Sequence, residues 1–313
     1  MIHAMPHPAV TVILAGLFLL LALASLAVAA LRHARPQRDW SELSARTRSW
    51  WVMLAVFSAA MLLSPSLSLA FFALISFLAL KEYLSLIPTR RADRRVLFWA
   101  YLTVPLQYLW IAQDWYGMFI VFIPVYGFLM LPLRMVLIGD TRDFLRAAGT
   151  LHWGLMLFVF ALSHIAALLM LPATPLAPAG GAGLVLFLVV LTQLNDVLQY
   201  LWGHALGRQR VLPTVSPGKT WGGLLGGVAT TTALAALAAP WLTPLGHGMG
   251  AVAGLLIGLA GFIGDVVISA VKRDLGIKDS GNLIPGHGGL LDRIDSLTYS
   301  APLFFHFIHY LHY

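Results

Sequence analysis

An all-α, polytopic helical bundle embedded in a membrane is the fold class the sequence predicts. Three observations point there: an apolar composition, apolar runs of spanning length, and a lopsided distribution of positive charge. Hydrophobic residues make up 59% of the 313 residues and charged residues only 11%, with a mean hydropathy of +0.82, far from the balance of soluble domains. The apolar residues recur in runs of roughly 15 to 22, about the length that carries a helix across ~30 Å of hydrocarbon. About ten spans are predicted (nine to eleven given boundary error), at 10–31, 50–63, 67–87, 96–111, 118–138, 151–171, 184–203, 221–242, 249–270 and 297–310. No Lys or Arg precedes the first run, which therefore reads as a retained span and not as a cleaved leader. With no cysteine in the chain, disulfides, thiolate nucleophiles and Cys-ligated metals are excluded.

Orientation follows from the basic residues, because cytoplasmic loops retain Lys and Arg during insertion. Eighteen of the twenty fall in five alternate loops, 32–48, 90–95, 142–146, 208–219 and 272–293, while Lys81 and Arg134 sit near cytoplasmic span ends, where long side chains can snorkel to the interface. The intervening loops, around Ser64, Asp114, Pro175 and Gly248, carry none. The net charge of +7 is thus an insertion bias and an attraction to anionic membrane lipids, not a nucleic-acid footprint. The Pro- and Gly-rich stretch 172–183 divides the chain into an N-terminal transmembrane region, 1–175, and a C-terminal region, 176–313. The first has almost no polar residues inside its spans, so chemistry is expected in the second.

Three groups of residues carry that expectation. On the span 184–203, Gln193, Asp196, Tyr200, Gly203 and Gly207 recur every three to four residues and fall on one helical face. A carboxylate in hydrocarbon is costly unless paired or hydrated, so Asp196 marks a candidate site. Next, Ser216-Pro217-Gly218-Lys219-Thr220-Trp221 precedes Gly222, Gly223, Gly226 and Gly227. Glycine amides, a lysine and a helix N-terminus suit a phosphate, although a turn followed by helix-packing glycines reads equally well, and the spacing is not that of a Walker A loop. The third group is the densest: Asp265, Ser269, Lys272 and Arg273, then Lys278-Asp279-Ser280-Gly281, then His287-Gly288-Gly289 and Asp292-Arg293-x-Asp295. Asp265, Ser269 and Lys272 share a helical face. A Gly-rich hairpin can return Asp292 and Asp295 to Asp265, a hard-oxygen arrangement suited to Mg²⁺, with Mn²⁺ as a substitute and a second cation as a further option.

Ser269-x-Val271-Lys272-Arg273, four residues, Lys278-Asp279, then Pro285-x-His287-Gly288-Gly289-x-x-Asp292-Arg293-x-Asp295 resembles the complete signature of the phosphatidate cytidylyltransferases, or CDP-diglyceride synthases. The Ser216-Pro217-x-Lys219-Thr220-Trp221 loop is similar to that family's second landmark, and the likeness is tight from about Asn195 to Ser296. The resemblance implies a multi-span, frequently homodimeric enzyme of the bacterial inner membrane with its active site facing the cytoplasm. It also implies the reaction of CTP with phosphatidate to give CDP-diacylglycerol and pyrophosphate, with a divalent metal. Asp265 and Asp292 match its metal-binding aspartates, and Lys219, Lys272 and Arg273 its basic positions.

The expected catalytic set is therefore Asp196, Asp265, Lys272, Arg273 and Asp292. Ser216, Lys219, Thr220, Ser269, Lys278, His287, Gly288, Gly289 and Arg293 are expected to bind substrate, and Asp295 to assist Asp265 and Asp292 with metal. Three positions depart from the pattern: Gly218 stands where the family usually has the first of two Lys, Gly222 where it usually has Glu, and Ile268 where Glu usually precedes the signature Ser. Outside these motifs, Glu82 beside Lys81 reads as an interfacial pair. The rival functions are a CTP-dependent polyprenol or lipid kinase, which would move the γ-phosphoryl group, and a lipid or ion transporter using Asp196 and Asp265.

Overall fold

A computed structural model describes residues 7–62, 64–88, 90, 93–281, 283–286 and 288–313. Four helices open the chain, α1 (Pro8–Ala34), α2 (Ser41–Leu62), α3 (Pro65–Leu86) and α4 (Arg94–Ala112). Two further columns are each interrupted by a π-helical turn. The first joins α5 (Tyr116–Val121) to α6 (Phe128–Val136) through Phe122–Gly127, and the second joins α7 (Phe144–Leu155) to α8 (Leu162–Met170) through Met156–Ala161. Pro124, which has no N–H to give the ladder, lies in the first interruption. The C-terminal region holds α9 (Gly180–Leu206), strands β1 (Arg210–Leu212) and β2 (Ser216–Thr220), α10 (Trp221–Leu242), α11 (His247–Asp274), the short α12 (Leu291–Ile294) and α13 (Leu297–His312).

Each of the ten predicted runs falls on a helical column, and seven columns are long and apolar enough to cross a membrane. Of the others, α2 and α4 carry arginines near their N-terminal ends and α13 has 16 residues. The second run begins earlier than its hydropathy suggests, at Ser41. Polar turns lengthen it: Asp39 accepts the Ser41 N–H at 2.8 Å, and Glu42 pairs with Arg46 at 2.5 Å one turn on. The antiparallel β1–β2 hairpin, with Leu212 opposite Ser216 and Arg210 opposite Thr220, lies in a stretch read from sequence as a loop.

One hydrophobic cluster runs from Val10 on α1 to Ile308 on α13 and includes Leu184, Leu186 and Leu188 on α9, so apolar packing is continuous across the 172–183 stretch. Beside it α9, α10 and α11 pack closely through small residues, since helices in lipid associate by surface fit more than by hydrophobic drive. A Cβ on Gly223 would stand 2.6 Å from the Gln199 carbonyl oxygen, and one on Gly227 would stand 2.5 Å from Gln199 Cγ. The glycines after Trp221 are therefore contact points between α9 and α10. This is the helix-packing role that one of the two sequence readings gave them. Thr220 caps α10 by accepting the Gly223 N–H at 3.1 Å, which fixes where the preceding strand, with Lys219, meets the bundle.

Gly223→Val should lower the melting temperature in detergent, at a cost of about 1–3 kcal/mol for overpacking. Gly218→Ala, whose Cβ would meet nothing within 4 Å, should leave it unchanged. A thermal melt of both variants checks the pair of outcomes.

Candidate active site

Three elements of the C-terminal region converge on two linked charge clusters. In the first, Lys219 reaches from the end of β2 to Asp265 on α11 at 2.5 Å and to the Gln199 Oε1 on α9 at 3.3 Å. Ser269, one turn beyond Asp265, donates to it at 3.3 Å. Asp196 on α9 accepts the Ser296 hydroxyl at 3.0 and 3.2 Å. Asp295, at the junction of α12 and α13, is buried close to both carboxylates. Burial first, then the charges of Asp265 and Asp196, push its carboxyl well above the ordinary range. Lys219 is shifted the other way from what burial alone would do: burial disfavours its charge, but Asp265, Asp196 and Asp295 outweigh it and hold the ammonium above its usual value.

The second cluster is centred on Asp292. Lys272, on the same face of α11 as Asp265, donates to Asp292 Oδ1 at 2.7 Å. Oδ2 accepts from the Ser280 N–H at 3.0 Å, the Ser280 hydroxyl at 3.0 Å and the Gly289 N–H at 3.1 Å. Burial alone would raise this carboxyl; the Lys272 and backbone bonds overcome it and hold Asp292 below the usual carboxylate range. Gly288 at φ +81° turns the chain tightly here, and a Cβ on it would sit 2.9 Å from Asp292 Oδ2.

Arg293 follows Asp292 on α12, and its Nε is buried without a hydrogen-bond partner among the described residues. An unpaired buried guanidinium N–H is costly and keeps a hydrogen bond to give. Around both clusters stand five acids, Glu82, Asp196, Asp265, Asp292 and Asp295, and three cations, Lys219, Lys272 and Arg293. The acids outnumber the cations by two, and the raised Asp295 carboxyl makes the excess of charge smaller than the excess of acids. Among the described residues no three acids or histidines form a ready-made metal shell. Asp265 and Asp292 face Lys219 and Lys272 instead. The all-oxygen donor set and the charge surplus nonetheless fit a hard divalent cation.

Residues 44–311 match the family described as the cytidylyltransferase family. The chain belongs to that family. It is 51% identical over 297 residues to a protein of Escherichia coli (strain K12) named "Uncharacterized protein YnbB", covering 95% of this chain and 97% of that protein. It is 47% identical over 114 residues to a phosphatidate cytidylyltransferase of Synechocystis, covering 36% of this chain and 39% of that protein. With a phosphatidate cytidylyltransferase of Brucella abortus it shares 43% over 124 residues, 39% of this chain and 46% of the relative. The chain thus spans about two fifths of the length of the relatives that carry this name.

Most of the residues expected from sequence meet in these clusters: Asp196, Lys219, Asp265, Ser269, Lys272, Asp292, Arg293 and Asp295, with Gly288 and Gly289 shaping the turn. Others stand apart. Arg273 points outward, donating to the carbonyls of Val215 at 3.2 Å and Ile277 at 3.4 Å, where it ties the end of α11 to the β-hairpin. Lys278 is exposed, Ser216 begins β2, and Thr220 acts as the α10 cap. His287 lies outside the described residues. Tyr200, expected on the Asp196 face, is 72% exposed, whereas Thr192, Asn195 and Gln199 point inward.

Two of the three departures from the family's usual pattern have a local cause in packing, while at Gly218 a Cβ would meet nothing within 4 Å. A Cβ on Gly222 would stand 2.8 Å from the Leu206 carbonyl oxygen, leaving no room for a glutamate. Ile268 is 2% exposed within the main hydrophobic cluster. Sequence reasoning missed Glu82, which is no interfacial partner of Lys81 but accepts hydrogen bonds from Ser280, Leu290 and Leu291, and Ser280 and Ser296, which bond the acids. The only sequence signal for Glu82 is an acid inside an otherwise apolar run.

Because Asp292 is held below its ordinary 3.8, its stabilising effect is fully present above that value and disappears as pH falls through the depressed one. Asp292→Asn should therefore make the 278–291 hairpin more sensitive to protease at neutral pH. The difference from the wild type should close as the pH is taken below 3.8. Digestion at Lys278 across a pH series, with acid-stable protease at the low end, measures it.

Proposed function

We propose that this multi-pass membrane protein transfers CMP from CTP to phosphatidate, giving CDP-diacylglycerol and pyrophosphate. The observation that carries the reading is the pair of half-buried, lysine-matched carboxylates, Asp265–Lys219 and Asp292–Lys272, anchored by Asp265 and Lys272 on one face of α11 beside the Arg293 Nε. Family membership and the names of the shorter relatives support the same chemistry.

In the reaction an oxygen of the lipid phosphate bonds to the α-phosphorus of CTP, and the bond from that phosphorus to the bridging oxygen of the β-phosphate breaks. The leaving pyrophosphate takes the electron pair. Such transfers need positioning and charge stabilisation more than a protein nucleophile. Lys219 and Lys272 would exchange part of their carboxylate contact for phosphate oxygens, and Arg293 would donate its free Nε to the polyphosphate. Ser269 and Ser296 orient Asp265 and Asp196 through the hydrogen bonds above. Asp265 and Asp292, with Asp295 beside them, would hold Mg²⁺, which when bound supplies positive charge to the pyrophosphate oxygens. The site is proposed to face the cytoplasm of a bacterial inner membrane, since the basic loops 208–219 and 272–293 carry it. There CTP arrives from solution and the lipid laterally. The homodimer implied by the resemblance belongs to the same proposal.

With purified protein, label on the α-phosphate of CTP should enter the lipid and label on the γ-phosphate should leave in pyrophosphate; γ-label in the lipid would establish a kinase instead. Asp265→Asn and Asp292→Asn should each lower turnover by roughly 100-fold or more while the protein stays folded in detergent, a loss typical of removing a charge used in the transition state. Wild-type turnover in both at limiting Mg²⁺ would refute the metal assignment. Cysteines introduced at Gly218 and Gly281, in a chain with no native cysteine, should label only from the cytoplasmic side, and one at Pro175 only from the outside.

A further inference from the structure

Glu82 lies on α3, about 200 positions before the hairpin in sequence, yet three hydrogen bonds join it to the hairpin. Its Oε1 lies 2.5 Å from the Ser280 hydroxyl and accepts the Leu291 N–H at 3.2 Å, while Oε2 accepts the Leu290 N–H at 2.8 Å. These donors flank the turn from both sides. Leu290 and Leu291 open α12, where helix N–H groups lack partners within the helix, and Ser280 is the same residue that binds Asp292. One hydroxyl thus sits between two carboxylates, Glu82 and Asp292. Gly289 is placed so that a Cβ would overlap both Glu82 Oε1 and Ser280 Oγ, so the close approach of the loop to Glu82 requires glycine there. Two contacts from α2 add to the hold: Ser49 donates to the Pro285 carbonyl at 2.7 Å and Arg46 to the Gly286 carbonyl at 3.0 Å.

The geometry points to Glu82 as a positioning residue, which pins the Ser280–Leu291 hairpin to the N-terminal helices and so places Asp292 against Lys272. This inference rests on the cytidylyl-transfer reading for its consequence in turnover, but not for the clamp itself. Glu82 touches no reacting atom in this scheme. It acts through Ser280 and the first N–H groups of α12. A glutamine would keep one carbonyl acceptor and turn an NH₂ toward donors. An alanine would remove every contact.

The test compares Glu82→Gln, Glu82→Ala, Ser280→Ala and the double variant Glu82→Gln/Ser280→Ala in the full chain in detergent. Hydrogen exchange of the peptide 280–291 and the kcat and KM for CTP are read together with the melting temperature. Exchange of the hairpin should accelerate at least about tenfold in Glu82→Gln and further in Glu82→Ala, the size expected for losing hydrogen bonds to a charged acceptor. Exchange on α9 and α10 should stay as in the wild type. Turnover should fall in the same order, by roughly 10- to 100-fold as for a misplaced catalytic group, with KM for CTP little changed. Glu82→Gln and Ser280→Ala should be non-additive, because they break one link. Unaltered hairpin exchange, a uniform rise across all helices, additivity of the two changes, or full turnover from a loosened hairpin would each overturn the proposal. Absence of pyrophosphate release by the wild type would defeat the functional reading alone, since the exchange and coupling measurements still decide whether Glu82 holds the hairpin.

Discussion

The cost of placing carboxylates inside an apolar bundle is the constraint on which the rest of this structure depends. Each acid of the site is matched: Asp265 by Lys219, Asp292 by Lys272 and three hairpin donors, Asp196 by the Ser296 hydroxyl, Asp295 by the Ser296 N–H, and Glu82 by the hairpin itself. Breaking any one partner leaves a buried charge uncompensated, which costs far more than the pair contributes. The elements that supply the partners, β2, the Gly-rich hairpin and α3, are accordingly held in place by the chemistry they serve.

The surplus of acids over cations is the other side of the same constraint. A site made only for stability would balance its charges or avoid them. Here Asp295 has its carboxyl raised by burial and by Asp265 and Asp196, and Arg293 keeps a buried N–H without an acceptor. An excess of negative charge for a cation next to an unspent donor for an anion is what a metal-assisted reaction of a polyphosphate calls for. The arrangement suits a cytidylyltransferase.

Both charge clusters are concentrated in the C-terminal region, yet that region is not self-sufficient. Glu82, Ser49 and Arg46 all bond the hairpin from the N-terminal helices, and the main hydrophobic cluster spans both regions. Small residues bring α9, α10 and α11 close enough for Lys219 to reach Asp265. The same closeness removes the space at Gly222 that a glutamate would need.

Hydropathy alone determined the helical class and the approximate place of every column, because spanning length and apolar runs leave little else that a chain can do in a bilayer. Local spacing likewise determined the group Asp265, Ser269 and Lys272, since positions three and four apart on a helix must share a face. Where two turns of a polar stripe compete, spacing was a poorer guide. On α9 it favoured Tyr200, but packing against α10 and α11 turned Asn195 and Gln199 inward and left Tyr200 exposed. Only the tertiary structure decided that the glycines after Trp221 serve helix contact, that Arg273 ties down a strand while Arg293 faces the site, and that Glu82 belongs to the hairpin. Those outcomes depend on which distant surfaces meet, and a carboxylate on α3 carries no mark in its own neighbourhood of the backbone N–H groups it will satisfy some two hundred residues later.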